Sequence, residues 1–214
     1  MQDVAVTAPA TTFARLVWPV AQGRTGAIAR AACLAVIGSC LLTVSAKIQV
    51  PGPVPMTLQT LVVMALGAAL GARLAVAAVA LYVLQGVLGM PVFANTPPLV
   101  PGLAYLFGPT GGFLLGFAAA AGLIGAAADA GAMRSPLYFA IVLAFGNVVL
   151  MAVGFTWLAL VAQTASGATG IGFAKAWAVG VQPFMLANTI KLAIAALAIP
   201  LLYSTLVRRL GGQA

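Results

Sequence analysis

The stretch VQPFMLANTIKLAIAALAIPLLYSTLV, residues 181–207, is an apolar run with a single charge, Lys191, near its middle. It exceeds the roughly 20 residues that a helix needs to cross a bilayer. An ammonium at that depth costs about 2.5–3.5 kcal/mol on insertion scales, so it normally faces a partner, a cavity or a ligand rather than lipid. The competing reading is that Lys191 snorkels to an interface. About ten helical residues separate it from the start of the run and about fifteen from its end, and at 1.5 Å rise per residue a lysine stem covers either distance poorly. Apart from the C-terminus, the carboxylates of the chain are Asp3, in a polar stretch, and Asp129, at the far end of a different apolar segment. The counter-charge is therefore expected from outside, and an anionic small molecule is the first candidate ligand.

The rest of the chain reads as the surroundings of that lysine. Its 214 residues are 63% hydrophobic and 6% charged, with a mean hydropathy of +1.14; polar side chains cannot cover that much apolar surface in water, so the chain is an integral membrane protein. A net charge of +8 would suggest nucleic acid in a soluble protein, but the basic residues sit at the ends of apolar segments and form neither a stripe nor an aromatic platform. Nucleic acid is not an expected partner. With no histidine and two side-chain carboxylates, metal sites and histidine-based catalysis have almost no material, and neither a cofactor nor a catalytic residue is expected. Cys33 and Cys40 fall on one helical face about 10 Å apart, beyond disulfide reach.

Apolar segments at 26–46, 57–70, 74–90, 111–128, 137–162 and 181–207 predict an all-α, compact bundle of six transmembrane helices over 26–207, with tails at 1–25 and 208–214. The second and third segments are short for a bilayer and are separated only by Gly71-Ala72-Arg73, which predicts a tight helical hairpin. One long helix over 57–90 is the alternative; it needs about 50 Å of membrane and buries Arg73 at its centre. With cytoplasmic N- and C-termini, Arg15, Arg24, Arg30, Arg73, Arg134, Arg208 and Arg209 lie inside and only Lys47 and Lys175 outside, the positive-inside bias. Arg24, Arg30 and the small residues Val44-Ser45-Ala46 also resemble a signal peptide. The apolar core between them is long for that, and retention is the expected outcome.

Two connections on the outer side carry more than a solvated loop needs. KIQVPGPVPM (47–56) is stiffened by Pro51, Pro53 and Pro55, and PVFANTPPLVPGLAYLFGP (91–109) is rich in aromatic and apolar residues. Both are expected to fold over a pocket that opens outward. Asn188 and Lys191, three apart, share a helical face and offer an amide and a cation, which suits a ligand with an amide-like or ureido group and a carboxylate. Interhelical bonding is the alternative for Asn188. Gln59, Asn95, Tyr105 and Phe93 are the expected polar and aromatic lining; Trp177 reads equally as an interfacial anchor, and Gln85 and Asn147 as helix-to-helix hydrogen bonds. Gly108-Pro109-Thr110-Gly111-Gly112 faintly resembles a phosphate loop but lacks the Gly-Lys-Ser/Thr ending, so any ATP would be bound by another subunit. Ala27, Ala31 and Ala35 form a flat ridge, read either as packing within the bundle or as a docking face for another membrane subunit.

VPMTLQTL (54–61), LYVLQGVLGMPVFAN (81–95), GPTGGFLLGF (108–117) and PFMLANTIK (183–191) resemble, in order and spacing, the motifs of the BioY family, the biotin-binding S components of energy-coupling factor (ECF) transporters. The resemblance implies a multi-pass protein of the bacterial cell (inner) membrane that captures biotin from outside. It implies as partners a transmembrane coupling protein and two cytosolic ATPase subunits. Asn95, Asn188 and Lys191 would hold the ligand, and the Ala27, Ala31, Ala35 ridge would face the coupling subunit. In one respect the chain departs from the pattern: the family usually has aspartate where this chain has Asn188, which withdraws a counter-charge from Lys191. The competing functions are a carrier that works without an ATPase module and, from another class, an intramembrane enzyme pairing Ser39 or Ser45 with Lys191. Neither serine lies in a nucleophile motif.

Overall fold

Apolar segments become helices because a backbone withdrawn from water must satisfy its own N–H and C=O groups, which a helix does within one run. The structure, a computed structural model, describes residues 12–19, 23–50, 56–96, 99, 101–163 and 167–211. In chain order these form α1 (Phe13–Val17), α2 (Arg24–Lys47), strands β1 (Gln49–Val50) and β2 (Met56–Thr57), α3 (Gln59–Leu70), α4 (Ala72–Val87), α5 (Leu103–Phe107) and α6 (Gly111–Asp129). A 3-10 turn (Ala132–Arg134), α7 (Pro136–Leu160), α8 (Phe173–Gly180) and α9 (Phe184–Gly211) follow. The strands form an antiparallel ribbon with Gln49 opposite Thr57 and Val50 opposite Met56. The proline loop between them, read from the sequence as stiff, lies outside the described residues.

Among the described residues four helices, α2, α6, α7 and α9, are long and apolar enough to cross a membrane, and α3 and α4 are shorter apolar helices. The last two are the expected hairpin rather than one long helix. Gly71 turns the chain between them with φ at +77°, a conformation that favours glycine. Asp129, from the end of α6, accepts the Ala72 N–H at 2.9 Å, placing negative charge at the positive end of α4.

α6 is the central helix, packed against α3, α4 and α7. Small residues let it approach its neighbours: a Cβ on Gly116 would lie 2.7 Å from the Leu150 carbonyl oxygen of α7, so no larger residue fits without separating the helices. Two apolar clusters result. One, including Tyr82, Phe93, Phe113, Phe117 and Phe184, surrounds the end where α3, α6 and α9 begin. The other, including Met64, Ile124, Phe139, Ile199 and Tyr203, fills the opposite end.

The stretch read from the sequence as a tail over 1–25 contains an element of the fold. α1 docks with Ala14 buried and Phe13 edge-on to Tyr203 at a centroid distance of 5.7 Å. Arg30 holds it, donating from Nε to the Trp18 carbonyl and from Nη2 to the Ala14 carbonyl, both at 2.7 Å. α2 correspondingly starts at Arg24, slightly before the expected boundary.

Candidate ligand-binding site

A narrow cleft opens where α3, α6 and α9 begin, and Lys191 lies in its wall. About two turns into α9, Lys191 is only 8% exposed, and its Nζ donates to the Thr57 carbonyl at 2.6 Å. Snorkelling is thereby ruled out for this side chain: the nitrogen turns inward, toward the β2–α3 junction. A neutral carbonyl hydrogen-bonds an ammonium but leaves its charge uncancelled. The carboxylate of Asp129 is engaged at the other end of the bundle, 3.6 Å from Arg15.

The polar side of the cleft is built on the first turn of α3. The Thr57 hydroxyl donates to Gln59 Oε1 at 3.0 Å, and Gln59 Nε2 donates to the Tyr82 hydroxyl at 2.9 Å. That hydroxyl in turn donates to the Val92 carbonyl at 3.2 Å. Such a chain of buried hydrogen bonds fixes each rotamer, because breaking one link strands a desolvated partner. Phe113, Leu114 and Phe117 of α6, Met151 of α7 and Phe184 of α9 supply the apolar side.

Residues 91–96 and α5 form the roof. Tyr105 lines the cleft, donates its hydroxyl to the Ala94 carbonyl at 2.9 Å and stacks on Phe93 at 4.5 Å and 18°. Phe93 is fully buried and meets Tyr82 edge-on at 5.5 Å; Gly86 makes room for it, since a Cβ there would run into the ring. Lys47, at the end of α2, ties the roof down. Its Nζ donates to the Phe93 carbonyl at 2.8 Å and to the Thr96 carbonyl and hydroxyl at 2.5 and 3.2 Å. Burial lifts the Tyr105 hydroxyl above its ordinary pKa, with a hydrogen bond from Thr110 as a smaller opposing effect.

Of the residues expected to line the site, Lys191, Gln59 and Tyr105 do so. Asn188, 5% exposed, sits one step behind, its Oδ1 accepting from Thr60 at 3.4 Å and its Nδ2 facing Met151 Sδ at 3.1 Å. Both of those partners line the cleft. Phe93 supports the roof from behind. Asn95 is not brought into the lining; it is half-buried, adopts φ +56°, and its side chain makes no hydrogen bond among the described residues. Trp177 lies away from the cleft, about half exposed and edge-on to Phe155. Gln85 makes the expected interhelical bond, accepting from Ser39 at 2.5 Å. Ala27, Ala31 and Ala35 are half-buried along α2, and both cysteines are free. Among the described residues no three His, Cys, Asp or Glu side chains come together.

The sequence marked none of Thr57, Tyr82, Thr110 and Met151 as a site residue, and it marked Lys47 only as a residue of the outer side. Thr57, Tyr82 and Thr110 fall inside three of the quoted motifs, the one sequence signal that bears on the site for them.

The fold is thus a helical membrane bundle with a small cleft at one end, polar on one side and apolar on the other. The crystal structure, at 2.1 Å, of the S-component for biotin from an ECF-type ABC transporter superposes with a TM-score of 0.69, covering 85% of this chain and 95% of that one at 19% identity, so the two share a fold. The BioY family model matches residues 12–208, and the chain belongs to that family. Its relatives include the biotin transporter BioY of Thermotoga maritima, 38% identical over 75% of this chain and 88% of the relative. Another is a probable biotin transporter BioY of Pyrococcus horikoshii, 35% identical over 72% and 85% respectively.

Proposed function

We propose that this chain is the biotin-capturing S component of an ECF-type ABC transporter. In this reading six helices, α3 and α4 included, span the membrane with both termini cytoplasmic. The cleft faces outward in a bacterial cell (inner) membrane, and a transmembrane coupling protein with two cytosolic ATPase subunits drives uptake. The chain itself has no ATPase or catalytic role and needs no cofactor. One observation carries the proposal: the Lys191 ammonium, held inside the bundle at the wall of a cleft, donates to the neutral Thr57 carbonyl and has no ion-pair partner among the described residues. A ligand bearing oxygen acceptors and a carboxylate supplies what is missing, and the relatives of this chain carry the name of biotin transporters.

Gln59, Tyr82, Thr57 and Thr60 then offer the donors and acceptors that a ureido group requires, and the aromatic rings of α6 and α9 take the apolar part. Asn188 acts from behind the lining, through Thr60 and Met151 and the face it shares with Lys191. The cleft as it stands is only about 40 Å³, so admission of a bicyclic ligand requires the roof carrying Ala94 and Tyr105 to lift. Asn95, on that roof with an amide that makes no hydrogen bond among the described residues, closes onto the ligand when the roof returns. The Ala27, Ala31, Ala35 ridge is the face offered to the coupling protein.

Capture is tested by equilibrium binding of radiolabelled biotin to the purified full chain, with saturation at one ligand per chain expected. Transport is tested in proteoliposomes holding the chain alone or with a coupling protein and ATPases. Uptake that requires the ATPase module is expected; full uptake by the chain alone would instead favour a self-sufficient carrier.

A further inference from the structure

Far from the cleft, a groove of about 520 Å³ runs between the 3-10 turn at the start of α7 and the C-terminal half of α9. Its lining is largely apolar, with Ala196 and the exposed Leu197 and Leu201 of α9, and Pro200 inside α9 withdraws one backbone N–H beside them. Arg134 and Arg208 both line the groove, and both are exposed. Arg208 alone would be explained as a cation in the last turn of a helix, where the dipole favours it. Arg134 comes from a different element, so two guanidiniums from two elements meet on one concave surface. Among the described residues no carboxylate lines this groove; Asp129 is enclosed in a separate pocket with Arg15, Arg30 and Arg73.

We propose that the groove seats an anionic phospholipid, its phosphate between Arg134 and Arg208 and one acyl chain along Leu197 and Leu201. Charge complementarity selects this occupant: two exposed guanidiniums, with no ion pair among the described residues, share an apolar trough at the side of a membrane helix bundle, the arrangement an acidic headgroup and its chain require. The dimensions agree, since Leu197 lies about 16 Å along the helix axis from Arg208, within the reach of an acyl chain.

The test titrates the full-length, delipidated chain in detergent with phosphatidylglycerol and, separately, with phosphatidylcholine of identical acyl chains, reading lipid adducts by native mass spectrometry. Phosphatidylglycerol should bind roughly thirty-fold more tightly, the factor that two basic residues beside an anionic headgroup supply. The double variant Arg134→Gln/Arg208→Gln should lose that preference, Arg134→Lys/Arg208→Lys should keep it, and Arg73→Gln, in the other pocket, should leave it unchanged. All three variants alter exposed side chains, and their melting temperatures without lipid should match the parent. Equal affinity for the two lipids would overturn the proposal, as would a preference that survives the double glutamine variant or falls equally in Arg73→Gln.

Discussion

Replacing Asn188 by aspartate supplies the carboxylate that the family resemblance leads one to expect at this position, and the consequences follow from what surrounds the side chain. Asn188 lies one turn before Lys191, with a long bond from Thr60 at 3.4 Å and a weak contact to Met151 Sδ at 3.1 Å. One-turn neighbours have their Cβ atoms about 5–6 Å apart, so at an effective dielectric of about 20 and a separation of about 5 Å the new carboxylate attracts the ammonium by roughly 3 kcal/mol. Desolvating a buried carboxylate costs several kcal/mol. The two nearly cancel, and the stability of the unliganded variant should stay within about 1 kcal/mol of the parent. Binding should respond more strongly. A charged acceptor contributes about 1.5–3 kcal/mol to a hydrogen bond where a neutral one contributes about 1, so a ureido N–H facing this position should lower the biotin Kd by about 2- to 30-fold. Isothermal titration of biotin into both purified chains measures the difference. Unchanged affinity would show that residue 188 does not face the ligand, and weaker binding would show that the site holds its anion too close to this position; either result refutes the reasoning.

Tyr82→Phe removes the hydroxyl that joins Gln59 to Val92 and should destabilise the protein by about 1–3 kcal/mol, because two buried partners lose their bond; a thermal melt unchanged by the substitution would contradict the network. Lys47→Met cuts the tie between α2 and the roof, and hydrogen exchange at residues 92–96 should rise at least about tenfold, from the loss of charge-assisted bonds worth about 1.5–3 kcal/mol. Exchange unaltered there would show that the roof is held by packing alone. The raised pKa of Tyr105 means that the folded state holds this proton more tightly than the unfolded chain does. Its contribution is full below the unfolded value of about 10 and is lost as pH rises through the folded value. Above about pH 10 the parent should therefore lose more stability than Tyr105→Phe, and parallel pH profiles would contradict that assignment.

The apolar segments, their order and the α3–α4 hairpin were legible because a membrane helix announces itself by composition and length, and Gly71 marks a turn. Lys191 was legible for the same reason in reverse, as a charge where none is cheap. Its partner, the Thr57 carbonyl, was not: a main-chain acceptor carries no side-chain signature. Tyr82 in an apolar run reads as core, and only the fold shows its hydroxyl linking α3 to the loop before α5. Lys47 read as a marker of topology, because nothing in its neighbourhood announces that residues 93 and 96 return to it across the end of the bundle. α1 is too short for a periodic pattern, and its docking rests on Arg30, which the sequence assigned to the membrane edge. Asn95 was read both from the apolar 91–109 connection and from the family resemblance, and its position on the roof rather than in the lining depends on a backbone turn at φ +56° that no spacing rule specifies.

The account depends on the buried ammonium meeting the ligand, and the direct measurement is biotin titrated into the purified parent chain and into Lys191→Met, with melting temperatures confirming that both are folded. Saturable binding by the parent and a Kd raised about 10- to 150-fold in the variant are expected, the loss of one charge-assisted hydrogen bond of about 1.5–3 kcal/mol. Binding of equal strength in the two chains, or no saturable binding by the parent, would contradict it.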